Sequence, residues 1–174
     1  MSGYRDKVLS REELRRVVEE LHRQGKTLVF TNGCFDLLHI GHIRYLYDAS
    51  RLGDVLIVGI NSDESVTRLK GPSRPMIPEA ERAEMLAALS CVDYVSIFSE
   101  DTPDELIKLI RPNVHVKGGD YRPEDLPEAP LVKSLGGRVV IAPLVNGRST
   151  TITITHILER HSDWLNRAPG EKDS

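Results

Sequence analysis

The chain has 174 residues, 40% hydrophobic and 28% charged, with a formal net charge of -3. These are the proportions of one globular domain with a sizeable core, and the balanced charge argues against a broad nucleic-acid or membrane-binding surface. An aromatic content of 5% gives no stacking platform for single strands, and two cysteines with no apolar leader after M-S-G-Y-R-D-K point to a soluble cytoplasmic protein without a disulfide framework.

The elements follow in chain order. Ser10 with Glu13 forms a capping box, and Leu14, Val17, Val18 and Leu21 recur at helical spacing before Gly25, so residues 1–25 are expected to be a helical N-terminal segment. The run T-L-V-F at 27–30 is expected to be a strand, followed by a tight N-G turn at Asn32 and Gly33, a helix over about 41–52 and a strand at 55–60. Alternation continues with a helix at 78–89, a strand at 94–98, a helix at 102–110, and strands at 114–117 and 138–142. Apolar strands alternating with helices predict a doubly wound, mainly parallel α/β sheet in a single domain over 26–160, with its ligand site outside the carboxyl ends of the strands. Residues 149–155 alternate like a strand, but Ile154, Ile157 and Leu158 have helical spacing and Ser149 or Thr150 can cap, which favours a helix. The tail over 161–174 is expected to be flexible.

The stretch T-N-G-C-F-D-L-L-H-I-G-H at 31–42 sets His39 and His42 three residues apart around Gly41. Two imidazoles at that spacing share one helix face and suit a metal, acid–base chemistry or a phosphate, or are plain structure, with His39 capping the helix and His42 facing solvent. Cys34 and Asp36 are near enough in sequence to join a metal set, yet His22, His115, His156 and His161 form no spaced cluster. A glycine at a helix start allows close approach of a phosphate, and amides and imidazoles together make an anion site. Neither G-x-x-x-x-G-K-[ST] nor G-x-G-x-x-G occurs, which disfavours P-loop and ordinary dinucleotide-binding sites.

The stretch G-C-F-D-L-L-H-I-G-H resembles the G-x-F-D-x-x-H-x-G-H signature of the cytidylyltransferase-like nucleotidyltransferases, and S-T-T at 149–151 resembles their second nucleotide-binding signature. N-S-D at 61–63, L-K-G-P-S-R-P at 69–75, D-T-P at 101–103 and V-K-G-G-D-Y at 116–121 narrow the likeness to the members that adenylylate D-glycero-β-D-manno-heptose 1-phosphate. The resemblance implies a Rossmann-like nucleotidyltransferase fold, with ATP as substrate and Mg²⁺ bridging the triphosphate. His39, His42, Lys70 and Arg82 are then the catalytic donors. Gly33, Cys34, Phe35, Gly41, Lys117, Gly118, Arg148, Ser149, Thr150 and Thr151 bind the nucleotide, and the protein itself supplies no dedicated metal ligand. Asp36 either holds Mg²⁺ through water or orients the histidine loop.

The segment L-V-N-G-R-S-T-T departs from the R-T-x-G-x-S-T-T of the glycerol-phosphate and phosphoethanolamine cytidylyltransferases, leaving the role of Arg148 open. Partners implied are small molecules, ATP and a sugar phosphate, with no nucleic acid or membrane. The family further implies a homo-oligomer and, because no sugar-kinase domain accompanies this sequence, a separate kinase upstream. Alternative readings are transfer to glycerol 3-phosphate or FMN, a non-catalytic nucleotide-binding module, and a metal hydrolase.

Overall fold

A computed structural model describes residues 3–119, 122, 125–142 and 150–160. Five strands, β1 (Leu28–Gly33), β2 (Val55–Asn61), β3 (Tyr94–Phe98), β4 (Val114–Gly118) and β5 (Arg138–Ala142), form one sheet in the order β3-β2-β1-β4-β5. Every pairing is parallel. The helices are α1 (Arg11–Arg23), α2 (Ile40–Ser50), α3 (Asp63–Lys70), α4 (Glu79–Ala87), α5 (Asp104–Ile110), α6 (Ala129–Ser134) and α7 (Thr150–Arg160). The doubly wound α/β expectation therefore holds, and residues 150–155 are helical.

Period-two burial on the strands divides the core into two layers. Val29, Leu56, Val58, Ile60, Val114 and Val116 face Leu46 and Ala49 of α2 and Ala83, Leu86 and Ala87 of α4. Their neighbours Leu28, Phe30 and Ile57 face Leu14, Val18 and Leu21 of α1, Leu106, Ile107 and Ile110 of α5, and Val132 of α6. The N-terminal helix thus belongs to the same core as the sheet. Its capping box is formed, with the Glu13 carboxylate accepting from Ser10 N at 2.8 Å.

Three expectations about local structure change. Asn32 and Gly33 are not a turn but the end of β1, in register with Gly59 and Ile60. The chain reverses after them, at Phe35, whose φ of 46° lies in the left-handed region. Helices α3 and α6 appear where no helix was expected; α3 buries only Ser65 and Val66, and α6 is six residues long with a proline in its first turn. Neither carries enough apolar periodicity to be read as a helix.

The order of the strands reverses direction between β1 and β4, and this is where such sheets open a crevice beyond their carboxyl ends. One half-buried tyrosine fixes α2 against it. The Tyr45 hydroxyl donates to the carbonyl of Val116 on β4 at 2.9 Å and lies 2.5 Å from Thr31 Oγ1 on β1. Replacing Tyr45 by Phe strands both partners in the interior, so Tyr45→Phe should destabilise the fold by about 1–2 kcal/mol, measured as a lower urea midpoint at unchanged slope.

Candidate active site

The site is built outward from the end of β1. A Cβ at Gly33 would stand 3.2 Å from the Phe35 ring, so glycine there lets the ring fold back beneath the strand end. Phe35 is 5% exposed; its ring centroid is 5.3 Å from that of His42, which it backs. A left-handed backbone at a bulky residue is costly and persists where packing enforces it.

His39 is the N-cap of α2, and its Nδ1 accepts the N–H of Gly41 at 3.1 Å. That contact assigns the proton of the neutral ring to Nε2, making Nε2–H a donor. It also means that the Gly41 amide, expected to face a phosphate, is used by the cap. The rings of His39 and His42 stack with centroids 3.9 Å apart and planes inclined by 23°. Burial, with a smaller contribution from His39, pushes the His42 pKa down to about 4, so this ring is neutral at pH 7. Among the described residues its Nδ1 is buried without a hydrogen-bond partner, which is unusual for an interior polar atom.

The loop over 71–78 is strapped onto the signature by Asp36. This carboxylate, 1% exposed, accepts from Arg74 Nε at 2.5 Å, Met76 N at 2.8 Å and Ile77 N at 3.0 Å. Three of its roughly four lone-pair sites are taken by that loop, so of its two expected roles, holding a hydrated cation or orienting the histidine segment, the geometry matches the second. Among the described residues, no group of three His, Cys, Asp or Glu could hold a metal ion.

Arg82 is placed differently from the expectation. It is fully buried and donates to Ile77 O at 2.9 Å, Cys34 O at 2.5 Å, Asn61 O at 2.9 Å and Asp63 Oδ1 at 2.7 Å. Four of its five N–H groups therefore point into the protein, which makes Arg82 a brace for the Cys34 turn rather than a donor to phosphate. Burial raises the pKa of the Cys34 thiol, against smaller opposing effects from Lys70, Arg82 and Arg74, so Cys34 is not a thiolate nucleophile. Lys70 is the exposed last residue of α3, close enough to Cys34 to act on it electrostatically.

Across the crevice, Lys117 and Gly118 end β4. The Lys117 ammonium lies 3.0 Å from Asn32 Oδ1 and 3.0 Å from Glu128 Oε1. Thr150, the first residue of α7, donates its hydroxyl to Leu37 O at 3.4 Å, bringing the C-terminal signature onto the histidine segment. Thr151 follows in the same helix, while Arg148 and Ser149 lie outside the described residues. Sequence reasoning missed Arg74, Asn32, Tyr45 and Glu128. Arg74 and Asn32 lie within quoted motifs, but nothing in the sequence at Tyr45 or Glu128 marks a partner that tertiary folding brings from 71 or 13 residues away.

Comparison with known proteins agrees with this geometry. A family model described as cytidylyltransferase-like matches residues 30–155. The bifunctional protein HldE of Syntrophotalea carbinolica is 61% identical over 158 residues, 91% of this chain, and that of Trichlorobacter lovleyi is 55% identical over 157 residues, 90% of this chain. In both cases the chain spans 32% of the relative's length. A lipopolysaccharide core biosynthesis protein from Thermoplasma volcanium superposes with a TM-score of 0.56 at 31% identity, covering 70% of this chain and 98% of that one. Pantoate-beta-alanine ligase from Francisella tularensis, at 14% identity and a TM-score of 0.55 over 95% of this chain and 81% of its own, shares the fold. With its stacked histidines at the sheet's switch point and the family model spanning both signatures, the chain belongs to the cytidylyltransferase-like family.

Proposed function

We propose that this chain transfers the adenylyl group of ATP to D-glycero-β-D-manno-heptose 1-phosphate, giving ADP-heptose and pyrophosphate. The observation that carries the reading is the contact of Thr150 with Leu37, which joins the start of α7 to the segment bearing His39 and His42. One crevice then holds donors from both ends of the domain. The acceptor and nucleotide are those of the family members whose motifs this sequence resembles, and the relatives named as bifunctional HldE proteins and as a lipopolysaccharide core biosynthesis protein support the choice.

In this reaction an acceptor phosphate oxygen attacks the α-phosphorus while the bond to the β-phosphate oxygen breaks. The acceptor is already ionised at neutral pH, so no general base is needed, and catalysis is positioning plus hydrogen bonding to the developing charge. His39 contributes Nε2–H, His42 a neutral imidazole whose Nδ1 awaits a partner, and Lys117 an ammonium from β4. Thr150 opens α7 beside the histidine segment, which sets the start of that helix, and with it the second signature that the resemblance assigns to the nucleotide, next to the stacked histidines. Magnesium bound with the nucleotide would supply further charge stabilisation to the triphosphate, and no described residue is assigned as its ligand. No described helix is long and apolar enough to cross a membrane, in keeping with a cytoplasmic reaction on small molecules. The anomeric phosphate of the acceptor must be supplied by a sugar-kinase reaction.

A pyrophosphate-release assay crossing ATP and CTP with heptose 1-phosphate, glycerol 3-phosphate and FMN tests the assignment. Release should be fastest with ATP and heptose 1-phosphate, and its absence from every heptose 1-phosphate pair would refute the reading. His39→Ala and His42→Ala should each lower kcat by about 10² or more, the scale of losing a transition-state donor; near-normal turnover in either would remove that histidine from the mechanism. The depressed His42 pKa also has a thermodynamic sign. The unfolded chain protonates first, so the stabilisation is complete above pH 6.5 and is lost as the pH falls towards 4. Allowing for solvent access to the ring, wild type should lose about 1 kcal/mol more between pH 7 and 5 than His42→Gln, measured by urea unfolding at each pH.

A further inference from the structure

One face of β1 and β4 carries an arrangement beyond the histidine pair. Phe30 is in register with His115, and their rings stack with centroids 5.3 Å apart. Two residues further along each strand, on the same face and at its carboxyl end, stand Asn32 and Lys117. Glu128, which caps the start of α6, inserts its carboxylate from the flank. A single oxygen, Oε1, lies 3.4 Å from His115 Nε2 and 3.0 Å from Lys117 Nζ. The ammonium in turn donates to Asn32 Oδ1 at 3.0 Å, so it bridges the two strands between which the sheet reverses its order.

The layering within this group is informative. His115 is fully buried and the Glu128 side chain is 7% exposed, whereas the Lys117 side chain is 24% exposed. The lysine therefore lies on the solvent side of a buried carboxylate that has His115 behind it. Burial alone would raise the Glu128 pKa, but the hydrogen bonds and charge of His115 and Lys117 outweigh it and hold the group down to about 2. Burial keeps His115 neutral, as its own pKa is lowered. A buried carboxylate is an expensive way to attach a short helix, since apolar residues of similar volume do this as well or better. What the charge adds is a fixed location for the end of a flexible four-carbon side chain.

We propose that Glu128 and Asn32 are positioning residues that hold the Lys117 ammonium across the switch point, ready for the phosphates of the reacting nucleotide. This rests on the transferase reading above. Prior fixation means that the ammonium need not be ordered as charge develops. It also predicts an asymmetry between binding and turnover. Glu128 screens Lys117 in the ground state, so removing its charge leaves nucleotide attraction undiminished while releasing the geometry needed in the transition state.

The test compares full-length wild type, Glu128→Gln, Lys117→Met and the double variant, with melting temperatures to confirm folding. With the nucleotide and acceptor that wild type turns over best, Glu128→Gln should lower kcat about tenfold without raising KM for the nucleotide, and Lys117→Met should lower kcat/KM about a hundredfold. The double variant should match Lys117→Met within about twofold, because Glu128 acts through Lys117. Multiplying losses in the double variant, or a folded Glu128→Gln with kcat within about twofold of wild type, would overturn the proposal. If Glu128→Gln does not fold, Glu128→Asp, which keeps the charge but shortens its reach, should show the same pattern at about threefold. Calorimetry with magnesium-ATP alone tests the positioning role independently of the acceptor: Kd should weaken at least about tenfold in Lys117→Met and not in Glu128→Gln. Equal weakening in both would refute the positioning role, whereas wild-type binding of ATP without turnover of heptose 1-phosphate would refute only the acceptor assignment.

Discussion

The guanidinium of Arg82 is the interaction on which the site's framework depends. From α4 it reaches the carbonyl of Cys34 just past β1, the carbonyl of Asn61 at the end of β2, the carboxylate of Asp63 in α3 and the carbonyl of Ile77 in the preceding loop. Each of these backbone groups lies at the carboxyl edge of the sheet, where strand pairing no longer supplies a partner, and a buried carbonyl without a donor is costly. One planar cation with its donors in a fixed fork satisfies three carbonyls together. The turn at Phe35 and the loop over 71–78 are thereby registered to the same atom group before any ligand is present.

Asp36 adds the complementary anion. Arg82 gathers carbonyls, while Asp36 gathers amides and the Arg74 guanidinium from the same loop. The two interlock, because residue 77 gives its carbonyl to Arg82 and its N–H to Asp36. A loop rich in glycine and proline, with little apolar burial of its own, is held by polar contacts whose geometry tolerates little displacement. The histidine segment is then fixed from three sides: by the Phe35 ring, by the Asp36 strap and by Tyr45, one turn along α2 from His42.

How far this was legible from sequence follows the range of each interaction. Strands β3 and β5 lie at the residues expected of them, and α1 begins at its capping box, because apolar alternation and caps are local signals. Asn32 and Gly33 looked like a turn because the dipeptide favours one, and only the pairing with Gly59 and Ile60 makes them strand. Arg82 could be recognised as a member of a signature but not oriented. A sequence shows that a charge exists, whereas its direction depends on which carbonyls the fold leaves without partners. Glu128 is the extreme case, since its significance arises from Lys117 and His115 lying two apart on one face of a strand whose facing layers could not be assigned from the sequence.

On the proposed reading of the crevice as a phosphate site, these pairings set how it would act on an anion. Arg82 is offset by Asp63, Arg74 by Asp36 and Lys117 by Glu128, while His42 is neutral at rest. Among the described residues Arg74, Arg82 and Lys117 are thus each compensated locally, so these three offer a phosphate little long-range field. Attraction has to come from directed donors at short range, which act on a correctly placed phosphoryl group and little on one elsewhere. Such a site favours transition-state over ground-state recognition, because charge that moves along the attack axis strengthens hydrogen bonds already aimed at it. The carboxylates that neutralise the cations are also what hold them still, so local compensation and precise positioning have one structural origin.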